Sequence, residues 1–266
     1  MAVRDPQRKS AQLLRRIHRR YQTVTRPMQF GTLTIPFTRI ADPDRVLDDV
    51  AAAADLRERL SGQRESDPQH LPYWAELWDS AIGMATYLAG RSNLGPHVSV
   101  LDLGCGMGLS GTVAAAMGCQ VLFADMEQEA LLFGLLNTAD YDTRARRLNW
   151  QTDRLGEQFD LILGADILYE RKQWPYLEAF WRAHLAPTGR VLIGEPGRPT
   201  GDDFPAWITP QGWSFTSREQ VVPTRDKPVR LFSMQMQKIE PRRHGGTEAR
   251  STTDAPWQSR SSKNAL

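Results

Sequence analysis

From Tyr73 onward, apolar and polar positions switch between two periods. PYWAELWDSAIGMATYLAG places Leu77, Ala81, Ala85 and Leu88 on one face at helical spacing and predicts a helix. VSVLDLG is a short apolar run that predicts a strand, and LSGTVAAAMG predicts a helix closing at Gly118. CQVLFAD reads as a second strand, EQEALLFGLLNTADY as a helix, RARRLNW as a third strand and FDLILGAD as a fourth. The fourth is almost wholly apolar, as a parallel strand covered on both faces should be. KQWPYLEAFWRAHLAP predicts a helix with Pro175 near its start, where proline is tolerated. GRVLIGE is a fifth strand, and WSFTSREQVVP with VRLFSMQMQ reads as a closing antiparallel pair.

This alternation implies right-handed βαβ units. The expected fold is α/β: a doubly wound, Rossmann-like sheet of seven strands, mostly parallel with an antiparallel C-terminal strand. Ligands of such sheets bind beyond the carboxyl ends of the strands. Before this region, FGTLTIPFTRI reads as one or two strands, with Pro36 forcing an edge or a turn. DRVLDDVAAAADLRERL places Val46, Leu47, Val50, Ala54 and Leu60 near one helical face. Residues 1–70 are therefore expected to form an N-terminal cap on a main domain at 71–238. The polar stretch 239–266 lacks the apolar area to offset ordering entropy and is expected to be a disordered tail.

Composition narrows the chemistry. The chain has 266 residues, 41% hydrophobic, enough for a sizeable core without disulfide or metal support. Its two cysteines form no C-x-x-C pair and its five histidines are scattered, so no metal site is expected and the reading is a reducing, cytoplasmic setting. A net charge of +2 does not suggest nucleic acid as a partner, and no apolar run is long enough to span a membrane. Arg4, Arg8, Lys9, Arg15, Arg16, Arg19 and Arg20 face only Asp5 in the first twenty residues. That start reads as a solvated helix, with an organelle-targeting segment or a patch for an acidic partner as the alternatives.

The stretch DLGCGMGLSG holds two glycine registers. Gly106, Gly108 and Gly111 spell the dinucleotide pattern, while Gly104, Gly106 and Gly108 spell G-x-G-x-G. A dinucleotide loop closes the strand with its first glycine, but starting at Gly106 leaves residues 103–105 as loop before it, and starting at Gly104 meets Leu109 where the last glycine belongs. The second register fits a strand ending at Gly104 and a loop suited to S-adenosylmethionine (SAM). An acid two residues before the first glycine, Asp102, suits the cofactor's ammonium, directly or through water, and amides exposed by the glycines suit its carboxylate. Asp125, ending the second strand, can accept both ribose hydroxyls. NAD sites share that device, so it does not discriminate.

VLDLGCGMGLSG, FADMEQEAL and FDLILGADILYE together resemble the class I, seven-β-strand SAM-dependent methyltransferases. Asp166-Ile-Leu-Tyr169 is similar to the D-x-x-Y signature of their protein-lysine methyltransferase group, and PYWAELWDSAIGMATYL resembles that group's Trp-containing helix. PYWAELW and VLIGEPGRP look like the branch acting on the electron-transfer-flavoprotein β-subunit, whereas LNW and WDSA look more like the branch that methylates chaperones and other proteins. The resemblance runs from about Leu71 to Gln237.

It implies SAM as cofactor and, as partner, an acceptor protein presenting a lysine. It implies that Trp78 contacts the methionine end, Gly104, Gly106 and Gly108 line it, Asp125 holds the ribose, Trp150 packs on adenine and Ala165 sits beside the cofactor. Asp166 and Tyr169 would form the catalytic lysine site. Bland readings stand beside these: Trp78, Trp150 and Tyr169 also fit as core aromatics, and Asp166 as a turn residue. Pro196-Gly197-Arg198 fits equally a plain turn, and Cys105 reads as a packing residue. Among other functions, a small-molecule acceptor keeps the cofactor. A nucleic-acid methyltransferase lacks its Pro-Pro motif here, where the sequence reads ADILY. A catalytically dead SAM-binding module is disfavoured by the intact Asp166 and Tyr169, and an NAD oxidoreductase by the glycine register.

Overall fold

The computed structural model describes residues 5–61 and 71–237; the expected tail, Arg4 and the side chain of Ala54 lie outside the described residues. Asp5 caps helix α1 (Pro6–Ile17) by accepting the Gln7 and Arg8 amides at 3.0 and 3.3 Å, with Pro6 preset at its first turn. Leu13 and Ile17 are buried, and α1 packs on α5 (Gln128–Asn137) while Arg20 pairs with Glu129 at 2.7 Å. The stretch around Pro36 forms a two-stranded hairpin, β1 (Thr23–Phe30) and β2 (Leu33–Ile40), with Pro27 opposite Pro36. Both strands are edges, the position in a sheet to which proline is confined. Helix α2 (Pro43–Ser61) follows; Val46, Leu47 and Val50 are half-buried, but Leu60 is exposed and departs from the expected face.

The main sheet has the order β5-β4-β3-β6-β7-β9-β8. Its strands are β3 (Ser99–Leu103), β4 (Gln120–Asp125), β5 (Arg144–Arg147), β6 (Phe159–Ala165), β7 (Leu185–Glu195), β8 (Trp213–Gln220) and β9 (Val229–Met236). Pairing is parallel from β5 through β7, and β9 runs antiparallel to both of its neighbours, giving the seven-stranded, mostly parallel sheet expected. Helices α3 (Asp79–Ala89), α4 (Leu109–Ala116) and α6 (Trp174–His184) are the other predicted ones. One apolar cluster joins α3, α4 and α5 with the hairpin and α1, so the N-terminal elements share that core. Asn137 fastens the hairpin by accepting the Thr38 amide at 2.7 Å and donating to its carbonyl at 2.9 Å.

Three expectations need correction. The helix expected from Pro72 begins only at Asp79: residues 73–75 make one 3-10 turn, and Trp78 is extended (φ −69°, ψ 140°). The predicted helix over KQWPYLEAFWRAHLAP ends at His184, and β7 takes up Leu185, Ala186 and Pro187. Helix α7 (Pro199–Ile208) has no counterpart in the sequence reading, because Pro199, Gly201 and Pro205 disguise it; Pro199 sits at its first turn, where no amide is missed.

Candidate active site

The loop after β3 is built from three left-handed glycines: Gly104, Gly106 and Gly108 have φ of +63°, +51° and +80°. Side-chain-bearing residues rarely adopt that conformation, so the G-x-G-x-G register is a backbone requirement here. Gly111, the extra glycine of the other register, has a packing reason: a Cβ there would lie 2.4 Å from Phe123 Cε1 and 2.8 Å from Asp102 Oδ2. The loop is tied to β4, since the Gly104 and Cys105 amides both donate to the Ala124 carbonyl at 2.8 and 3.1 Å.

Asp125 completes this end. Its Oδ2 accepts the Gly106 amide and its Oδ1 the Glu127 amide, each at 2.9 Å. Burial nevertheless raises its carboxyl to about 6, the amides offsetting only part of that cost. Asp102 is 1% exposed, and its Oδ2 accepts the Gly111 amide at 2.8 Å. Burial drives it to about 7, the Gly111 bond opposing and Asp125 adding to the rise.

A cavity of about 160 Å³ lies at the carboxyl ends of β3, β4 and β6. Trp78, Gly104, Gly106, Gly108, Asp125, Trp150, Ala165, Asp166 and Tyr169 all line it. Asp102 does not: it faces α4 from beneath the loop and anchors the first turn of that helix, so of the two placements expected for it at the cofactor's ammonium the direct one is not observed. The lining carries the carboxylates of Glu76, Asp125, Glu127 and Asp166 and, among the described residues, no Lys, Arg or His. Trp150 is held by its indole N–H, which donates to Gln173 at 3.2 Å. Trp78 is fixed in the same way on the Tyr73 carbonyl at 2.9 Å. Cys105 also borders the cavity, its thiol pushed well up by burial and by Asp125, which makes it a poor nucleophile.

At the end of β6, Asp166 is the single non-glycine with positive φ (+57°) among the described residues. Its amide donates to the Gly194 carbonyl at 2.8 Å, and its buried carboxylate accepts two bonds from Arg198, Nε at 2.8 Å and Nη2 at 2.6 Å. Burial raises its carboxyl above the ordinary range while Arg198 pulls it down. Tyr169 is 42% exposed at the mouth, its ring 6.2 Å from that of Tyr73, which lies equally far from Trp78. Sequence reasoning misses Tyr73 and leaves Arg198 equally a turn residue or a functional one. Arg198 lies thirty-two residues from Asp166, so no local spacing links them.

Residues 73–203 match the family model described as lysine methyltransferase. The chain is 34% identical to protein N-lysine methyltransferase METTL21A of Xenopus tropicalis over 48% of its own length and 63% of that protein's. It is 30% identical to the electron transfer flavoprotein beta subunit lysine methyltransferase of Danio rerio, over 50% of this chain and 53% of that one. The matches thus span less than two thirds of these relatives. Among solved structures, magnesium protoporphyrin IX methyltransferase from Synechocystis PCC 6803 aligns with a TM-score of 0.51 at 15% identity, over 74% of this chain and 98% of that one, a likeness of fold alone. Over residues 73–203, which hold the glycine loop, Asp125, Asp166, Tyr169 and Arg198, this chain matches the lysine methyltransferase family, the group its motifs resemble.

Proposed function

We propose that the protein is a SAM-dependent protein-lysine N-methyltransferase. The observation that carries this reading is one cavity whose lining holds four carboxylates and, among the described residues, no basic side chain, and whose mouth joins a buried aspartate to two half-exposed tyrosines. Such a lining suits a cationic cofactor and a cationic acceptor and does not suit a pyrophosphate. The residues present fit SAM: the glycine loop borders the cavity with backbone rather than side chains, Asp125 offers an acceptor for ribose hydroxyls, and Trp150 offers a flat face for adenine. When bound, SAM supplies an electrophilic methyl group on a sulfonium.

What the chain contributes is alignment and control of protonation. A lysine amine has a pKa of ~10.4 and arrives protonated. Burial at the mouth favours its neutral form. Asp166 accepts an amine N–H and aims the nitrogen lone pair into the cavity, and alignment supplies much of the rate. Tyr73 and Tyr169 wall the approach for the lysine's alkyl chain.

The family match and the names of the relatives support a protein acceptor over a small molecule. Among the described residues there is no cluster suited to a metal ion and no helix long and apolar enough to cross a membrane. The two free cysteines support a reducing, cytoplasmic setting as part of the proposal. The test is transfer of a labelled methyl from SAM into a soluble extract of the source cells, separated by size. A labelled protein band supports the reading; label confined to small molecules or nucleic acid defeats it.

A further inference from the structure

We infer that Arg198 is the positioning residue of the lysine site: it fixes the carboxylate of Asp166 in place and keeps it ionised for the acceptor amine. The inference rests on the lysine reading proposed above and adds to it a residue outside the D-x-x-Y signature.

Three features single out Arg198 from an ordinary surface ion pair. The first is geometry. Two guanidinium atoms meet two carboxylate oxygens at 2.8 and 2.6 Å, which sets the plane of the carboxylate as well as its charge. The second is the mounting. The Gly197 and Arg198 amides both donate to the carboxylate of Glu195, which is 1% exposed. Arg230 in turn pairs with Glu195 and donates to the Arg198 carbonyl at 3.3 Å. The arginine therefore springs from a backbone locked between the end of β7 and the start of α7. The third is the neighbour: the Arg198 guanidinium carbon lies 5.7 Å from the Trp78 ring centroid, so from behind the cavity lining the same side chain engages two residues that form it.

The chemistry needs such a residue. An ionised Asp166 accepts an amine N–H and leaves the nitrogen lone pair free to attack. A protonated Asp166 would donate its O–H to that lone pair and mask the nucleophile. Burial pushes this carboxyl toward the protonated form, and Glu195, at the end of β7, pushes the same way. Arg225, between β8 and β9, opposes more weakly, and Tyr169 also faces the group. Among the described residues, Arg198 is the one cation bonded to it.

The test follows the carboxylate itself and the activity in parallel. Carbon-13 NMR of aspartate carboxylates in the full chain, with the Asp166 signal assigned by its loss in Asp166→Asn, is titrated in wild type, Arg198→Gln and Arg198→Lys. Labelled-methyl transfer into extract protein is measured over the same pH range, with SAM affinity read by calorimetry. The account predicts that Arg198→Gln raises the Asp166 midpoint by a unit or more, about tenfold in proton affinity. The acid limb of transfer should move up by the same amount while SAM affinity holds, and Arg198→Lys should restore part of both. An Asp166 midpoint that stays put in Arg198→Gln overturns the inference, as does a moved midpoint with an unmoved acid limb. A wild-type chain that labels no protein defeats the lysine reading instead, and the NMR titration still decides whether Arg198 holds Asp166 ionised.

Discussion

The carboxylate of Asp125 accepts the Gly106 amide at 2.9 Å, joining the end of β4 to the middle of the glycine loop. One side chain thus shapes the loop and, in the function proposed above, is the acceptor for the ribose. Asp125→Ala should weaken SAM binding at least about tenfold, the loss expected for charge-assisted hydrogen bonds. Because burial raises this carboxyl to about 6, protonation removes the acceptor as pH falls through that value. Wild-type affinity should therefore drop between pH 7 and 5, and calorimetry with Asp125→Ala should show no such drop.

Gly111 is a packing glycine. Its missing Cβ makes room for Phe123 and the Asp102 carboxylate, so Gly111→Ala should destabilise the chain by about 1–3 kcal/mol, as overpacking does. Urea unfolding measures this. A loss below about 0.5 kcal/mol, the range of ordinary surface changes, would show that Phe123 moves aside freely.

Asp102 links stability to pH. Its folded value of about 7 lies above the ordinary aspartate value of 3.8, so between those limits the native state holds a proton that the unfolded chain has lost. Its contribution is fully present below about 4 and is lost as pH rises through 7. Asp102→Asn keeps an oxygen for the Gly111 amide and does not ionise. Relative to wild type it should gain stability from pH 5 to 8, and a gap independent of pH would contradict the assignment. SAM affinity should change little, since Asp102 does not line the cavity.

Trp150 offers an indole face anchored by Gln173. Trp150→Ala should raise the SAM dissociation constant by about tenfold, in line with an aromatic stacking contribution of ~0.5–1.5 kcal/mol beyond area burial. Gln173→Ala should give a smaller effect of the same sign, read by the same titration.

Parallel strands and a glycine loop are legible in a sequence because they depend on local patterns. The runs VLDLG, VLFAD and LILGAD are apolar because both faces are covered, and the loop glycines are required by φ. A strand-end acid such as Asp102 reads alike whether it faces a ligand directly or supports the helix behind the loop. The start of α3 was misjudged because Leu77 continues the apolar stripe although Trp78 is extended. Helix α7 was hidden by its prolines. Arg198 was unreadable because its partner is brought to it by the β6–β7 pairing, a tertiary relation with no sequence period.

The most direct measurement is mass spectrometry of the labelled protein band after incubation with SAM, comparing wild type with Asp166→Ala at matched SAM saturation. The account predicts methyl groups on a lysine side chain in the wild-type reaction and a loss of at least about 10²-fold in the variant, the lower range for removing one transition-state interaction, with SAM affinity retained. Methyl groups on another residue type, or undiminished transfer by Asp166→Ala, would contradict it.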